Sequence, residues 1–225
     1  MMDLYIDTAD VTEWDALMPT GLFTGITTNP LLADRAGLSY PQIDWGEMAR
    51  RAGDLGAKEL FGQVYGPPES YEDFAAGLYE AGRAAGIATV VKVPLTEAGI
   101  RAVPAIMALG GPVLLTAAYD AKQMFAATAL GAGYIAPYFG RMLEGGLDAY
   151  AALGQMLAIG RATGGRTRIL VASLRDTDQM VRLGSQGQDC FTLAPKVARA
   201  LLSDPNTRAA VETFEAAARS RVEPG

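Results

Sequence analysis

The amino-acid sequence predicts a (β/α)8 barrel, a TIM barrel, with one extra helix towards its C-terminal end. Short runs of β-branched and other apolar residues alternate eight times with segments of helical period, the pattern of a parallel sheet with crossover helices. The 225 residues are enough for one such barrel around one sizeable core. No Gly-x-Gly-x-x-Gly follows the first strand, which argues against an open dinucleotide-binding sheet. No linker or shift of composition divides the chain, so residues 1–225 are expected to form one domain.

Expected strands run over 4–8, 25–29, 60–65, 89–94, 112–118, 134–139, 168–174 and 189–194. Helical period fills the intervals 10–18, 41–54, 70–85, 96–109, 120–131, 146–163, 176–186 and 196–203. A last helix is expected over 207–220, where it would be free to cover a neighbouring subunit. Ser70 with Asp73 reads as a capping box, and Thr96 before Glu97 as an N-cap. Asp120 stands before the next helical stretch, while Gly110-Gly111-Pro112 and Gly164-Gly165 act as stops. Residues 31–44 read as a long irregular connection after the second strand, and 65–69 (Tyr-Gly-Pro-Pro-Glu) as an unusual one after the third.

Composition excludes several function classes. Half of the residues are hydrophobic and 20% are charged, as in an ordinary soluble globular protein. No apolar stretch has the length of a membrane span, and no basic-then-apolar leader pattern opens the chain, so no membrane role and a cytoplasmic location are expected. A net charge of −6 without a basic block speaks against nucleic acid as a partner. The single cysteine, Cys190, lies in an apolar run and reads as a reduced core thiol. Histidine is absent altogether, which removes imidazole metal sites and every triad that depends on it. Aldol chemistry on a zinc enolate is therefore not expected; no cofactor is expected either. Lysine, carboxylates, tyrosine and water-orienting hydroxyls or amides remain for covalent and proton-transfer work.

Of four lysines, only Lys92 interrupts a β-branched run, Thr89-Val90-Val91-Lys92-Val93-Pro94. Such a run reads as a buried strand, and burial disfavours an ammonium, lowering its pKa and making neutral amine available near pH 7. A stem lying on valines with its head in water is the plain structural alternative. The ends of the other strands weigh against it. In order they carry Asp7, Thr28 with Asn29, Gln63, Lys92, Thr116, Tyr138, Ser173 with Arg175, and Thr192. In a barrel, side chains at the C-terminal strand ends converge on one mouth. Singly, Asp7 reads as a helix cap, Thr28-Asn29-Pro30 as a turn and Tyr138 as core; together with a buried lysine they read as a site. Arg141, Ser173 and Arg175 near the last loops suggest an anion subsite, because a guanidinium fork matches phosphate oxygens.

Leu4-Tyr5-Ile6-Asp7-Thr8-Ala9-Asp10, Gly25-Ile26-Thr27-Thr28-Asn29-Pro30, Val90-Val91-Lys92-Val93-Pro94, Ala136-Pro137-Tyr138 with Gly140-Arg141, and Ala172-Ser173-Leu174-Arg175 together resemble the short transaldolase and fructose-6-phosphate aldolase family. The resemblance runs in order from residue 4 to about residue 215. It implies a metal-free class I aldolase on a (β/α)8 barrel, assembled as a homo-oligomer of pentameric or decameric form, with sugar phosphates as substrates. It also implies roles. Lys92 would form the Schiff base, and Asp7 would bind donor hydroxyls and assist proton movement. Thr28 and Asn29 would hold the dihydroxyacetone portion, Gln63 and Thr116 a proton-shuttling water, and Arg141, Ser173 and Arg175 the phosphate end. Gln63 and Tyr138 match the aldolase branch, whereas transaldolases usually carry Glu and Phe there. The expected reaction is therefore reversible cleavage of fructose 6-phosphate, or a similar ketose, to dihydroxyacetone and glyceraldehyde 3-phosphate. Transfer of the dihydroxyacetone unit between sugar phosphates, or a sulfosugar, is the alternative within the class, and a non-catalytic sugar-phosphate-binding barrel the alternative outside it. Thr116-Ala117-Ala118-Tyr119-Asp120 and segment 65–69 depart in detail from the family pattern and bear on the acceptor.

Overall fold

A computed structural model describes residues 2–219. Eight parallel strands are present: β1 (Asp3–Asp7), β2 (Gly25–Thr27), β3 (Glu59–Gln63), β4 (Ala88–Pro94), β5 (Val113–Ala118), β6 (Tyr134–Pro137), β7 (Arg168–Ile169) and β8 (Cys190–Leu193). Each pairs with its neighbours in chain order, and β8 pairs with β1. The ring closes between β7 and β8 through Val171, whose N–H donates to the Cys190 carbonyl and whose carbonyl accepts from Thr192, both at 2.9 Å. The eightfold alternation thus builds the expected barrel.

The helices are α1 (Val11–Leu17), α2 (Pro30–Arg35), α3 (Trp45–Asp54), α4 (Tyr71–Ala85), α5 (Glu97–Ala108), α6 (Gln123–Leu130), α7 (Phe139–Glu144), α8 (Ala149–Ala162), α9 (Thr177–Ser185), α10 (Pro195–Leu201) and α11 (Pro205–Arg219). Two of them have no counterpart among the expected elements. In α2, the Asn29 side chain accepts from the Leu32 N–H at 3.0 Å and Pro30 occupies the first turn. That Asn-Pro pair is a helix-start signal as well as a turn signal. The six-residue α7 has no side-chain cap and is too short for its period to stand out.

Two start signals act differently from expectation. Ser70 caps nothing: its hydroxyl donates to the Tyr65 and Pro67 carbonyls, at 3.1 and 2.8 Å, and closes a 3-10 turn instead. Asp120 binds the Lys122 N–H at 2.9 Å, so α6 begins three residues beyond it. Thr96 caps α5 as expected, accepting from Gly99 at 3.1 Å. The last helix starts at Pro205, with Asp204 accepting from the Thr207 N–H at 2.9 Å; position 220 of the expected span lies outside the described residues. No side chain of α11 is buried, and Phe214 is 67% exposed. Among the described residues, no helix is long and apolar enough to cross a membrane.

Strand alternation splits the core in two. Leu4, Ile6, Ile26, Leu60, Val91, Val93 and Leu115 face outward against the helices. Tyr5, Phe61, Val90, Leu114, Tyr134, Leu170 and Cys190 fill the interior. Phe61 meets Tyr5 and Tyr134 edge-on, at 5.2 and 5.4 Å between ring centres. Below this plug the Glu59 carboxylate accepts from Tyr5 at 2.5 Å and Tyr134 at 3.1 Å, and Arg168 pairs with Asp3 and Asp189. Cys190 is buried and free, its thiol pushed up to about 12, chiefly by burial. Aromatic rings and these charged pairs thus fill the N-terminal half of the interior among the described residues.

Candidate active site

A cavity of about 350 Å3 opens at the C-terminal ends of the strands, a size that suits a small metabolite. Asp7, Thr27, Asn29, Lys92, Tyr138, Arg141, Ser173, Arg175 and Thr192 line it. Lys92 is 5% exposed and reaches inward from the middle of β4. Its Nζ donates to the Thr28 carbonyl at 2.8 Å. Burial lowers the lysine pKa from its ordinary value, and the nearby Asp7 carboxylate partly restores it.

Asp7 ends β1 on the inner face and accepts from the Thr27 hydroxyl at 2.7 Å; Thr27 also lies 2.5 Å from the Thr192 hydroxyl. This row of hydroxyls ties β1, β2 and β8 together below the cavity mouth. Of the two adjacent threonines, the phase of β2 turns Thr27 inward. Thr28 is fully buried, its hydroxyl has no hydrogen-bond partner among the described residues, and its carbonyl is what meets the Lys92 amine. The sequence reading named Thr28 at this strand end and missed Thr27; only the register of β2 on β1, Thr27 opposite Asp7, separates them. Thr192, which carried no role in the sequence reading, belongs to the same row.

Tyr138 stands just past β6 with its hydroxyl 3.0 Å from the Thr116 hydroxyl. Burial pushes the phenol above its ordinary value; Asp7 adds to the shift, while the Thr116 hydrogen bond and Arg141 oppose it. Arg141 stacks over the Tyr138 ring at 4.8 Å. Thr116 precedes a bulge in β5, where Ala117 takes a φ of 61°. A left-handed conformation is uncommon for alanine, and a bulge re-aims the residues around it. Gln63 and Thr116 occupy inner-face positions behind the cavity lining, Gln63 directly opposite Lys92 in register.

Ser173 has the other positive φ among the described non-glycine residues, 66°. Its carbonyl accepts from the Gly140 N–H and from Arg175 Nη1, each at 3.1 Å. A Cβ on Gly140 would stand 2.0 Å from that carbonyl oxygen, so glycine is required where α7 crosses the loop after β7. Gly140→Ala is expected to cost about 1–3 kcal/mol, the range for overpacking, and to displace Ser173. Thermal melting together with a crystal structure of the variant checks both effects.

Arg175 is not a free guanidinium. Glu144 accepts from its Nε at 2.7 Å and Nη2 at 3.1 Å, and this pairing holds the carboxyl below its ordinary pKa. Arg35, in the last turn of α2, also lines the cavity and has no ion-pair partner among the described residues. Sequence reasoning missed it because α2 itself was read as irregular.

Fold and cavity together define a (β/α)8 barrel with a buried amine in its mouth. The backbone is similar to that of a mandelate oxidase variant solved with 2-hydroxy-phenylacetamide, at a TM-score of 0.60 and 18% identity, covering 88% of this chain and 66% of that one. At that identity the likeness concerns the fold alone, and the chain spans just under two thirds of the oxidase. Closer sequence relatives exist. A "Probable transaldolase" of Phenylobacterium zucineum (strain HLK1) is 32% identical over 218 residues, covering 95% of this chain and 94% of the relative. Another, from Hyphomonas neptunium (strain ATCC 15444), is 31% identical over 220 residues, with 97% of each chain covered. Residues 68–223 match the family model described as Transaldolase/Fructose-6-phosphate aldolase. The chain belongs to the transaldolase/fructose-6-phosphate aldolase family.

Proposed function

We propose that the protein is a class I aldolase in which Lys92 forms a Schiff base with a ketose phosphate. The carrying observation is the Lys92 amine itself, buried in the barrel mouth, held on a main-chain carbonyl and sharing one cavity with Asp7 and Tyr138. Desolvation supplies neutral amine, whose lone pair attacks the ketone carbon. The carbinolamine loses water and leaves a protonated imine. Asp7 takes the proton of the hydroxyl beside the scissile bond as that hydroxyl becomes the aldehyde carbonyl. The electrons of the broken carbon–carbon bond move into the imine, giving an enamine. Protonation of the enamine carbon and attack of water on the resulting imine then release dihydroxyacetone and restore the amine.

Thr27 and Thr192 hold Asp7 in place, and Asn29 stands where it meets donor hydroxyls. Arg141, Ser173 and Arg175 receive the phosphate end, with Arg35 adding positive charge across the cavity wall. Fructose 6-phosphate, or a similar ketose, is the proposed substrate, with glyceraldehyde 3-phosphate as the second product. Tyr138 supports release of the free donor, because its hydroxyl is a proton donor near the cleaved bond. The names of the relatives, probable transaldolases, favour a second reading, transfer of the dihydroxyacetone unit to another aldose phosphate. A homo-oligomer in which α11 covers a neighbour fits the exposure of Val211 and Phe214.

Borohydride reduction in the presence of fructose 6-phosphate, followed by peptide mass analysis, tests the reading. The expected result is one reduced donor adduct, on Lys92. A protein that turns the sugar over without any adduct there would not use this mechanism.

A further inference from the structure

The two connections that stand out in the sequence, 31–44 and 65–69, converge on one phenol that the chemistry above does not use. Tyr40 lies in a 3-10 turn between α2 and α3, buried among Trp45, Tyr65 and Phe74. Its ring meets Trp45 and Tyr65 edge-on, at 5.6 and 5.3 Å between centres. Its hydroxyl donates to the Gln63 carbonyl and accepts from the Gln63 N–H, both at 2.7 Å.

The reason lies in strand lengths. β2 ends at Thr27, and the last main-chain bond on that side of β3 runs from the Thr28 N–H to the Phe61 carbonyl, at 3.1 Å. Beyond it, the N–H and C=O of Gln63 face a missing strand, and a buried pair of this kind must be satisfied. A hydroxyl does both through one atom. On the other side, the Val64 N–H donates to the Lys92 carbonyl at 3.0 Å, and Gln63 is the register partner of Lys92. Adjacent strands lie about 4.8 Å apart, so the two inner-face side chains are immediate neighbours. The Gln63 amide makes no hydrogen bond to the described residues, and its position follows from its own main chain.

We propose that Tyr40 is a positioning residue for imine chemistry at Lys92, fixing the Gln63 main chain and thereby the place of the Gln63 amide beside the amine. The proposal rests on the Schiff-base reading above. If Gln63 orients the water lost and regained at the imine, a small misplacement slows both steps.

A double-mutant cycle of Tyr40→Phe and Gln63→Ala, read as the single-turnover rate of borohydride-trappable adduct formation on Lys92, separates this role from simple support of the fold. Tyr40→Phe keeps the ring and is expected to slow adduct formation on the order of tenfold or more, and to add nothing in the Gln63→Ala background. Tyr65→Leu removes a ring contact without touching the hydroxyl; it is expected to lower the melting temperature while leaving the adduct rate near wild type. Equal slowing by Tyr40→Phe in both backgrounds, no slowing at all, or equal slowing by Tyr65→Leu overturns the Tyr40 proposal while wild-type trapping upholds the Schiff base. Wild-type protein that forms no Lys92 adduct overturns both.

Discussion

Lys92→Met abolishes carbon–carbon bond cleavage and leaves the barrel folded. The proposed covalent catalysis has no substitute nucleophile here: among the cavity-lining residues Lys92 is the only amine. A loss on the order of 10⁴-fold or more in kcat is expected. Stability moves the other way. The folded-state pKa of Lys92 lies below its unfolded value, so the unfolded chain binds the proton more tightly. The cost of burying the ammonium is therefore full below the folded pKa and fades as pH rises from there towards the ordinary lysine value. Methionine keeps most of the stem's packing and carries no charge. The variant should melt at or above the wild-type temperature near neutral pH, and the gain should shrink at alkaline pH. Calorimetry across pH checks the sign, and a large loss of stability at neutral pH would mean that the bond to the Thr28 carbonyl outweighs desolvation.

The second large effect is expected at Tyr138. Its hydroxyl sits 3.0 Å from Thr116, and burial raises its pKa above the ordinary phenol value. Tyr138→Phe removes a proton donor from the step that turns the enamine into free product, while an acceptor aldehyde can still capture the enamine. Release of dihydroxyacetone from fructose 6-phosphate should fall on the order of 10²-fold, within the usual contribution of a general acid. Transfer to added erythrose 4-phosphate should fall much less. Equal losses in the two assays would leave the preference for free release without support. The ring of Phe still accepts Arg141 over its face, so the anion side of the cavity keeps its packing.

The barrel was legible because its signals are local and repeated. Eight apolar runs at strand length, separated by helical period, admit few arrangements, and each inner-face polar residue stands out against β-branched neighbours. The buried lysine was legible for the same reason: Lys92 breaks a valine run, and a charge there needs explanation. Elements of six residues were not. Neither α2 nor α7 is long enough for periodicity to register, and Arg35 went unseen with α2.

Sequence alone determined the alternation, the presence of polar residues at the strand ends and the residue types left to a chain without histidine. Tertiary structure decided what depends on phase and on partners distant along the chain. A one-residue shift would exchange Thr27 for Thr28 beside Asp7, and only pairing with β1 and β3 sets that phase. Whether Arg175 meets solvent or Glu144, 31 residues away, is a property of how α7 folds over the loop after β7. The same holds for Tyr40, whose hydroxyl finds its two partners only because β2 stops short of β3.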